Sequence, residues 1–251
     1  MTRSIRPAAA ADLPLIAALI RELAVYERLA HAVCFEEDVL GEHLFGARPM
    51  AEVVIAEADG LPQGFALFFH NFSTFEGKPG IYLEDLFVRP EARGAGLGKA
   101  LLAHLAALAD YERLAHEVKA DRETLARYLF GERPMAEVLI AEAEGAAVGF
   151  ALFFHNFSTF EGRPGLYLED LFVLPEARGL GAGKALLSRL AALAIERDCA
   201  RLEWSVLDWN EPAIGFYRSL GAQPMDQWSV MRLDGSALAR LGADRRESAD
   251  F

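Results

Sequence analysis

The chain contains one long segment twice, and this duplication limits its possible folds more than any other feature. Shifting the 251-residue sequence by 85 positions pairs residues 26–109 with residues 111–194, and 61 of these 84 pairs are identical. Solenoid proteins repeat at shorter periods of roughly 20 to 50 residues and usually need at least three units. Two long copies therefore indicate a duplicated globular unit.

The two copies have different surroundings. Copy 1 (residues 1–110) begins with a predicted strand over residues 4–8 and a helix from Leu13 whose apolar residues follow helical spacing. Copy 2 (residues 111–235) has no such first strand, but it continues into a segment that copy 1 lacks. Each copy thus lacks a piece that the other has. Deleting residues 26–110 would leave a 166-residue chain with every element present once.

Composition excludes several classes of function. Apolar residues make up 53% of the chain, and the net charge of −12 argues against a nucleic-acid partner and mildly favours cationic ligands. No apolar run approaches the roughly 20 residues of a membrane helix, and the N-terminus lacks a signal-peptide pattern. We therefore expect a cytoplasmic protein with no membrane contact. The two cysteines have no metal-ligand spacing, so we expect neither a metal site nor a disulfide framework.

The pattern of apolar and turn residues predicts a mixed α/β unit. In copy 1 it predicts strands near residues 51–57, 63–71 and 81–88, followed by a helix from about Gly98. The same elements recur in copy 2. There they are followed by a strand at 201–207, a helix at about 211–220 and a last strand near 227–233. The polar C-terminal tail, residues 236–251, is expected to fray after one short helical turn from Ala237.

A glycine-rich turn follows the last shared strand in each copy. In "LPEARGLGAGKALL" Gly179, Gly181 and Gly183 precede a helix that begins beside Lys184. Glycines allow several backbone N–H groups to converge on one anion, and the helix N-terminus adds partial positive charge, so a pyrophosphate would fit. The alternative is a tight strand-to-helix turn without a ligand. The segment is not a P-loop, because no Gly-Lys-Ser/Thr follows, and strand hairpins before it do not suit a Rossmann site.

The strand before this turn, "LYLEDLFV", carries two adjacent acids. Regular alternation places its side chains on two faces, with Tyr167, Glu169, Leu171 and Val173 on one and Leu168, Asp170 and Phe172 on the other. Two acids in an apolar strand are costly if both are buried without partners. Either one acid is ion-paired or at a sheet edge, or it is a base with a burial-raised pKa or a carboxylate that orients an amine.

A third segment, "WNEPAIGFYRSLGA", has the marks of a short helix. Asn210 is a good N-cap, Pro212 suits the first turn and Gly221 ends the helix. Tyr217 falls in the last turn. Its ring could simply pack, or its hydroxyl could donate a proton to the leaving group of a bound cofactor.

Together these segments resemble the GCN5-related N-acetyltransferase (GNAT) superfamily, and most closely its diamine (spermidine/spermine-like) and thialysine acetyltransferase branch. The superfamily motif [QR]-x-x-G-x-[GA] is matched by Arg178, Gly181 and Gly183, and again by the corresponding residues of copy 1. The resemblance covers residues 1–26 with 111–235, and 1–109 as a truncated copy. It implies an α/β (α+β) fold with a central, mixed but mostly antiparallel sheet flanked by helices. Its fourth and fifth strands would splay apart to admit acetyl-CoA.

The resemblance also implies residue roles. Tyr217 matches the tyrosine that protonates the departing CoA thiolate, and Glu169 matches the acid that takes the amine proton. The implied acetyl-CoA-binding residues are Leu171, Phe172, Val173, Arg178, Gly179, Leu180, Gly181, Ala182, Gly183, Lys184, Asn210, Pro212 and Ala213. The implied substrate-side residues are Tyr111, Glu112, Asp170, Glu203, Trp204 and Ser205. A possible second CoA cradle in copy 1 consists of Arg93, Gly94, Gly96 and Gly98.

Two functions from different classes follow. The first is direct acetyl transfer from acetyl-CoA to a primary amine of a small polyamine, diamine or thialysine-like substrate, in a homodimer with one complete site per chain in copy 2. Copy 1 has Glu84 and the glycine turn but no tyrosine helix, so we expect it to be inert by itself. The second is a catalytically impaired CoA-binding or assembly module, with copy 1 as an interaction surface.

Overall fold

The computed structural model describes residues 2–74, 76–111 and 122–248 of the chain. Copy 1 contains β1 (Arg3–Pro7), α1 (Leu13–Tyr26), α2 (Glu37–Phe45), β2 (Glu52–Ala58), β3 (Leu61–Ser73), β4 (Lys78–Val88) and α3 (Leu97–Tyr111). Copy 2 contains α4 (Arg122–Phe130), β5 (Glu137–Ala143), β6 (Ala146–Ser158), β7 (Arg163–Val173), α5 (Ala182–Glu196), β8 (Leu202–Trp204) and α6 (Glu211–Ser219). A last helix, α7, spans Gly235–Ser248.

Each copy builds its own four-stranded sheet. The orders are β1-β2-β3-β4 and β5-β6-β7-β8. The first sheet is antiparallel throughout, whereas in the second β7 pairs with β8 in parallel. The mixed, mostly antiparallel α/β architecture expected from the sequence is confirmed, with one sheet per copy. β1 completes the first sheet and β8 the second, so each copy uses the strand that the other lacks.

The two copies share a hydrophobic core. It joins α1, α2 and the inner face of the first sheet to residues of copy 2 that include Leu152, Phe154 and Phe157. On its outer side each sheet packs against the helix that follows its glycine turn, α3 in copy 1 and α5 in copy 2. Removal of either copy would therefore expose apolar surface on the other.

The contacts between the copies are reciprocal. Phe157 of the β6–β7 hairpin packs edge-on against His43 of α2, with ring centroids 6.4 Å apart. The same contact occurs with the copies exchanged. Phe72 of copy 1 packs edge-on against Tyr128 of copy 2, with ring centroids 6.2 Å apart. Phe72 and Phe157 are 85 positions apart, as are His43 and Tyr128. Such exchange of equivalent contacts is the pattern of a two-fold symmetric interface, here formed within one chain.

The C-terminal region departs from the sequence-based expectation in two places. The strand expected near 227–233 is wrong, because no strand forms between Ser205 and Ser248. Ladder hydrogen bonds need a neighbouring strand, and none of the described strands pairs with this segment. Its apolar side chains stay exposed, with Met231 89% and Val230 72% accessible. The strand expected at 201–207 is also shorter, since β8 covers only Leu202–Trp204.

The expectation of a tail that frays after one turn is wrong for residues 237–248, whereas residues 249–251 lie outside the described part of the chain. From Ala237 the chain continues as part of the 14-residue helix α7, which packs along α3. Close approach is possible because Gly242 has no side chain; a Cβ there would lie 3.2 Å from the backbone carbon of Ala106. Tertiary packing of this kind stabilises a helix that its polar sequence alone would not.

Candidate active site

A β-bulge lies at the acidic strand of each copy. In copy 2, Leu152 of β6 pairs with Asp170 and the next residue, Phe153, pairs with Leu168, so Glu169 is the extra residue. In copy 1 the same irregularity leaves Glu84 without a partner in the ladder. A bulge leaves one residue unpaired and changes the direction of the side chains around it. The bulged residue is thus the equivalent glutamate in both copies.

The bulge corrects the alternation expected from the sequence. Leu168 and Leu171 both pack toward α5, on one face of the sheet. Tyr167 packs against the shared core on the other face, and Phe172 contacts Phe150, which packs against the same core. The prediction that Leu171 shares a face with Tyr167, and Phe172 with Leu168, is therefore wrong. The extra residue, Glu169, shifts the alternation of side chains between the two faces of the strand. The sequence has no local pattern that predicts this shift.

Strands β7 and β8 separate immediately before Glu169. Their parallel ladder has three pairs, Leu166–Leu202, Tyr167–Glu203 and Leu168–Trp204. β7 then continues to Val173 while paired with β6 alone. The edge of β7 from Glu169 onward therefore faces a gap in the sheet, where backbone groups can pair with a ligand.

The glycine turn lies at the end of this gap. Gly179 and Gly181 have φ angles of 80° and 90°, a region that side-chain-bearing residues rarely adopt. A Cβ at either position would meet no atom within 4 Å, so the backbone of the turn is open on its outer side. Arg178 closes the turn from behind by donating from Nε to the carbonyl of Val173 at 3.0 Å. The open turn and the N-terminus of α5 fit a pyrophosphate group.

The sequence predictions for α6 hold. The side chain of Asn210 accepts a hydrogen bond from the backbone N–H of Ala213 at 3.3 Å, and Pro212 lies in the first turn. Phe216 reaches back toward the glycine turn, with its ring 3.9 Å from where a Cβ of Gly183 would stand. Tyr217 packs on Trp204 of β8 at a ring separation of 5.0 Å. The helix thus lies across the gap from the bulged strand.

Burial tunes the acid–base properties of this region. The pKa of Glu169 is raised to about 7, mainly by burial and further by the neighbouring charge of Asp170. The pKa of the half-buried Tyr217 hydroxyl is also raised by burial. At neutral pH Glu169 can therefore take up a proton, and the Tyr217 hydroxyl keeps its own.

The substrate-side residues lie in three places, which are β8 and the residue after it, the residue after the bulge, and the end of α3. Glu203 and Trp204 lie on β8, with Glu203 accepting a hydrogen bond from Asn156 at 2.6 Å. Ser205 follows the strand, and its hydroxyl is 2.7 Å from that of Tyr167. Asp170 follows the bulge. Tyr111 is the last residue of α3, but its side chain and all of Glu112 lie outside the described residues.

Several polar residues of this region are not marked by any sequence motif. Asn156, Tyr167 and Arg201 are absent from the site residues expected from the sequence, although all three make side-chain contacts around β7 and β8. Their partners lie in other segments of the chain, as much as 117 positions away in the case of Arg201 and Glu84. No local pattern reveals such contacts, because they depend on strand register.

Copy 1 repeats the backbone conformation of the glycine turn, but here Arg3 lies against the turn and donates from Nη1 to the carbonyl of Ala95 at 3.0 Å. Gly94 and Gly96 have φ angles of 81° and 79°, and the side chain of Arg93 donates to the carbonyl of Val88 at 3.0 Å. A cavity of about 570 Å³ lies beside the turn. Its lining comprises Leu23, Tyr26, Glu27, Leu86, Phe87, Val88, Ala92, Arg93, Gly94, Gly96, Leu97, Gly98 and Lys99. The sequence of copy 1 has no counterpart of α6.

Two kinds of feature are not found among the described residues. No group of three or more His, Cys, Asp or Glu side chains is arranged to hold a metal ion. None of the described helices is long and apolar enough to cross a membrane.

A sheet that opens beside an acid, next to a glycine turn and a helix N-terminus, fits a ligand that carries a pyrophosphate, such as an acyl-CoA. The family model described as "Acetyltransferase (GNAT) family" matches residues 18–128 and again 109–222. The chain belongs to the GNAT acetyltransferase family, and its fold and sequence resemblance make it an acetyl-CoA-dependent N-acetyltransferase.

Curated relatives agree with this family. A thialysine N-epsilon-acetyltransferase of Bos taurus is 36% identical over 162 residues, which is 60% of this chain and 94% of the relative. The L-ornithine N5-acetyltransferase NATA1 of Arabidopsis thaliana is 32% identical over 241 residues, 96% of this chain and 88% of the relative. A spermidine/spermine N(1)-acetyltransferase-like protein of Homo sapiens is 30% identical over 57% of this chain and 22% of its own length.

Proposed function

We propose that copy 2 transfers the acetyl group of acetyl-CoA to a primary amine of a small polyamine, diamine or thialysine-like molecule. The observation that carries this proposal is the bulged Glu169 at the point where β7 leaves β8. The names of the relatives support the class of amine, because thialysine and L-ornithine both carry a primary amine on a short chain. The net charge of −12 also favours a cationic substrate over an anionic one.

The proposed step is a direct transfer. An ammonium ion has no lone pair, so the amine must lose a proton before its nitrogen attacks the thioester carbonyl. Glu169 accepts that proton, directly or through water, because burial has raised its pKa to about 7. A C–N bond forms, the C–S bond breaks, and the nitrogen releases its second proton to water as it becomes an amide nitrogen. Tyr217 then gives its proton to the departing thiolate.

Binding is assigned to the residues on either side of the gap. The acetyl-CoA side comprises Leu171, Phe172, Val173, Arg178, Gly179, Leu180, Gly181, Ala182, Gly183, Lys184, Asn210, Pro212 and Ala213. The amine side comprises Tyr111, Glu112, Asp170, Glu203, Trp204 and Ser205. Carboxylates on the amine side attract the cationic substrate, while Trp204 gives it an apolar wall.

We also propose the division of the chain into copy 1 (residues 1–110), copy 2 (residues 111–235) and a C-terminal segment (residues 236–251). A homodimer, a cytoplasmic location and the lack of a nucleic-acid partner stay predictions from the sequence. Within one chain, the contacts of Phe157 with His43 and of Phe72 with Tyr128 already form an interface of the kind that a two-fold dimer forms between two chains.

The glycine turn of copy 1 is proposed as a second CoA cradle. The same backbone conformation at Arg93, Gly94 and Gly96 as at their copy 2 counterparts, and the adjacent cavity of about 570 Å³ that Gly98 also lines, support it. Calorimetric titration of the full chain with CoA should then give two equivalents per chain. A single equivalent would contradict the second cradle and leave the copy 2 site as the CoA site.

The proposed function is tested with a panel of amines. The full chain is incubated with acetyl-CoA and 1,4-diaminobutane, spermidine, thialysine or L-ornithine, and products are measured by mass spectrometry. We expect a monoacetylated product from at least one of them. CoA binding without a product from any amine would contradict transfer and favour a CoA-binding or assembly module.

The rate of transfer should depend on pH through Glu169. Its carboxylate must be deprotonated to act as base, so kcat/KM should fall as the pH drops through about 7. Glu169→Gln should lower kcat by roughly 100-fold and remove this acidic limb. The matched control is Glu84→Gln, the equivalent position of copy 1, which should keep the wild-type pH profile. An unchanged acidic limb in Glu169→Gln would assign the base to another group.

A further inference from the structure

The bulged glutamates of the two copies have different partners. Glu84 Oε1 lies 3.2 Å from Nη2 of Arg201, a residue of copy 2. Glu169 has no ion pair within 4.0 Å among the described parts of the chain, and the charges that influence its pKa are those of Asp170 and Arg232. The same side chain in the same bulge is therefore paired with a cation in copy 1 only.

Arg201 is held in place from several sides. Its backbone carbonyl accepts a hydrogen bond from the N–H of Leu166 at 2.9 Å, at the start of the β7–β8 ladder. Its Nη2 also donates to the carbonyl of Phe157 at 3.1 Å. The stem passes over Gly165, where a Cβ would come within 2.9 Å of the Arg201 Cγ. These contacts fix the guanidinium between β4 and β8.

A second carboxylate faces the same guanidinium. The Arg201 Nε lies 2.7 Å from Oε2 of Glu203, although the N–H is not aligned for a hydrogen bond. Asn156 supports Glu203 by donating to the same oxygen at 2.6 Å. The Glu84 side chain is only 16% exposed, so little room remains around it for another cation. A planar, permanently charged guanidinium suits such a two-carboxylate position better than a mobile ammonium would.

We propose that Arg201 is an internal cation that occupies the amine position of copy 1, so that Glu84 cannot take up an amine substrate. The proposal rests on the proposed function, because it assumes that a bulged glutamate is where an amine binds. A tethered group acts at an effective concentration on the order of millimolar or above, so a dilute free amine does not displace it. Each chain then binds an amine only in copy 2, because a residue of copy 2 fills the equivalent position of copy 1.

The test removes the internal cation and counts bound amines. Full-length Arg201→Ala is titrated with 1,4-diaminobutane by calorimetry in the presence of CoA. We expect one equivalent per chain more than in the wild type. Arg201→Lys keeps a cation at this position and should bind the wild-type number. Arg201→Ala combined with Glu84→Gln should lose the added equivalent, which assigns it to Glu84 rather than to Glu203.

The outcomes separate this inference from the proposed function. A folded Arg201→Ala that binds the wild-type number of diamines overturns the inference, since a purely structural ion pair would change stability without adding a binding site. If the wild type binds no diamine, the proposed function fails, yet an added equivalent in Arg201→Ala still supports the internal cation. If Arg201→Ala does not fold, Arg201→Gln, which keeps most of the side chain but removes its charge, takes its place and should gain the same equivalent. A folded Arg201→Gln that binds the wild-type number of diamines overturns the inference.

Discussion

Replacing Tyr217 with phenylalanine is expected to lower kcat by roughly 100-fold or more while CoA binding stays within a few-fold of the wild type. The hydroxyl is the group proposed to protonate the departing thiolate. The ring itself packs on Trp204 and Phe216, and phenylalanine keeps both contacts. Steady-state kinetics with the amine that the panel identifies, together with calorimetric CoA titration, measures the two effects separately.

A matched substitution controls for the loss of a phenol. Tyr82→Phe changes a tyrosine of copy 1 whose ring stacks on Phe69 at 4.9 Å and to which no part in the transfer is assigned. It should leave kcat unchanged. Turnover of Tyr217→Phe at the wild-type rate would mean that the thiolate is protonated by another group or by water. A loss of CoA binding would instead show that Tyr217 holds the cofactor.

Deleting residues 26–110 is expected to give a folded, active enzyme that forms a homodimer. The deletion leaves β1, α1 and all of copy 2, so that one complete set of elements remains. It also removes α2, against which Phe157 packs, and Phe72, which packs on Tyr128. The hairpin and helix α4 of the shortened chain are then both exposed and complementary. Two such chains can restore both contacts by exchanging them around a two-fold axis.

Light scattering coupled to size-exclusion chromatography should show that the deletion variant has twice the mass of one shortened chain. The amine assay measures its activity. The exchange can be blocked with Phe157→Asp in the deletion variant, which should yield a monomer or an unstable chain. Because α7 loses its partner α3 in the same deletion, a second deletion variant that also ends at residue 234 controls for that exposed helix. An active monomer would show that the contact between copies is dispensable. Insolubility of both deletion variants would show that copy 1 is required for folding.

The features that can be predicted from the sequence are those with local causes. The glycine turns follow from residues that can adopt positive φ, and α6 from the Asn210 cap, Pro212 in the first turn and Gly221. The strands shared by both copies lie within a few residues of the bounds that the apolar pattern predicts. The duplication itself predicts that each of these elements recurs at the same offset.

The remaining features depend on contacts between distant segments. The bulge at Glu169 arises from the register between β6 and β7, which no single strand encodes. Helix α7 forms against α3, more than 120 positions earlier in the chain. The pairing of Arg201 with Glu84 spans 117 positions and joins one copy to the other. The part of the site that distinguishes the two copies is therefore the part that the sequence alone does not predict.

The reciprocal contact between the copies also changes how the protein can vary. In a symmetric pair of identical chains, one codon change alters both halves of an interface at once. Here Phe72 and Phe157, or His43 and Tyr128, are specified by separate codons. A mutation can thus adjust one side while the other is preserved. The differing residues at positions 43 and 128, a histidine and a tyrosine in equivalent packing, already record one such independent change.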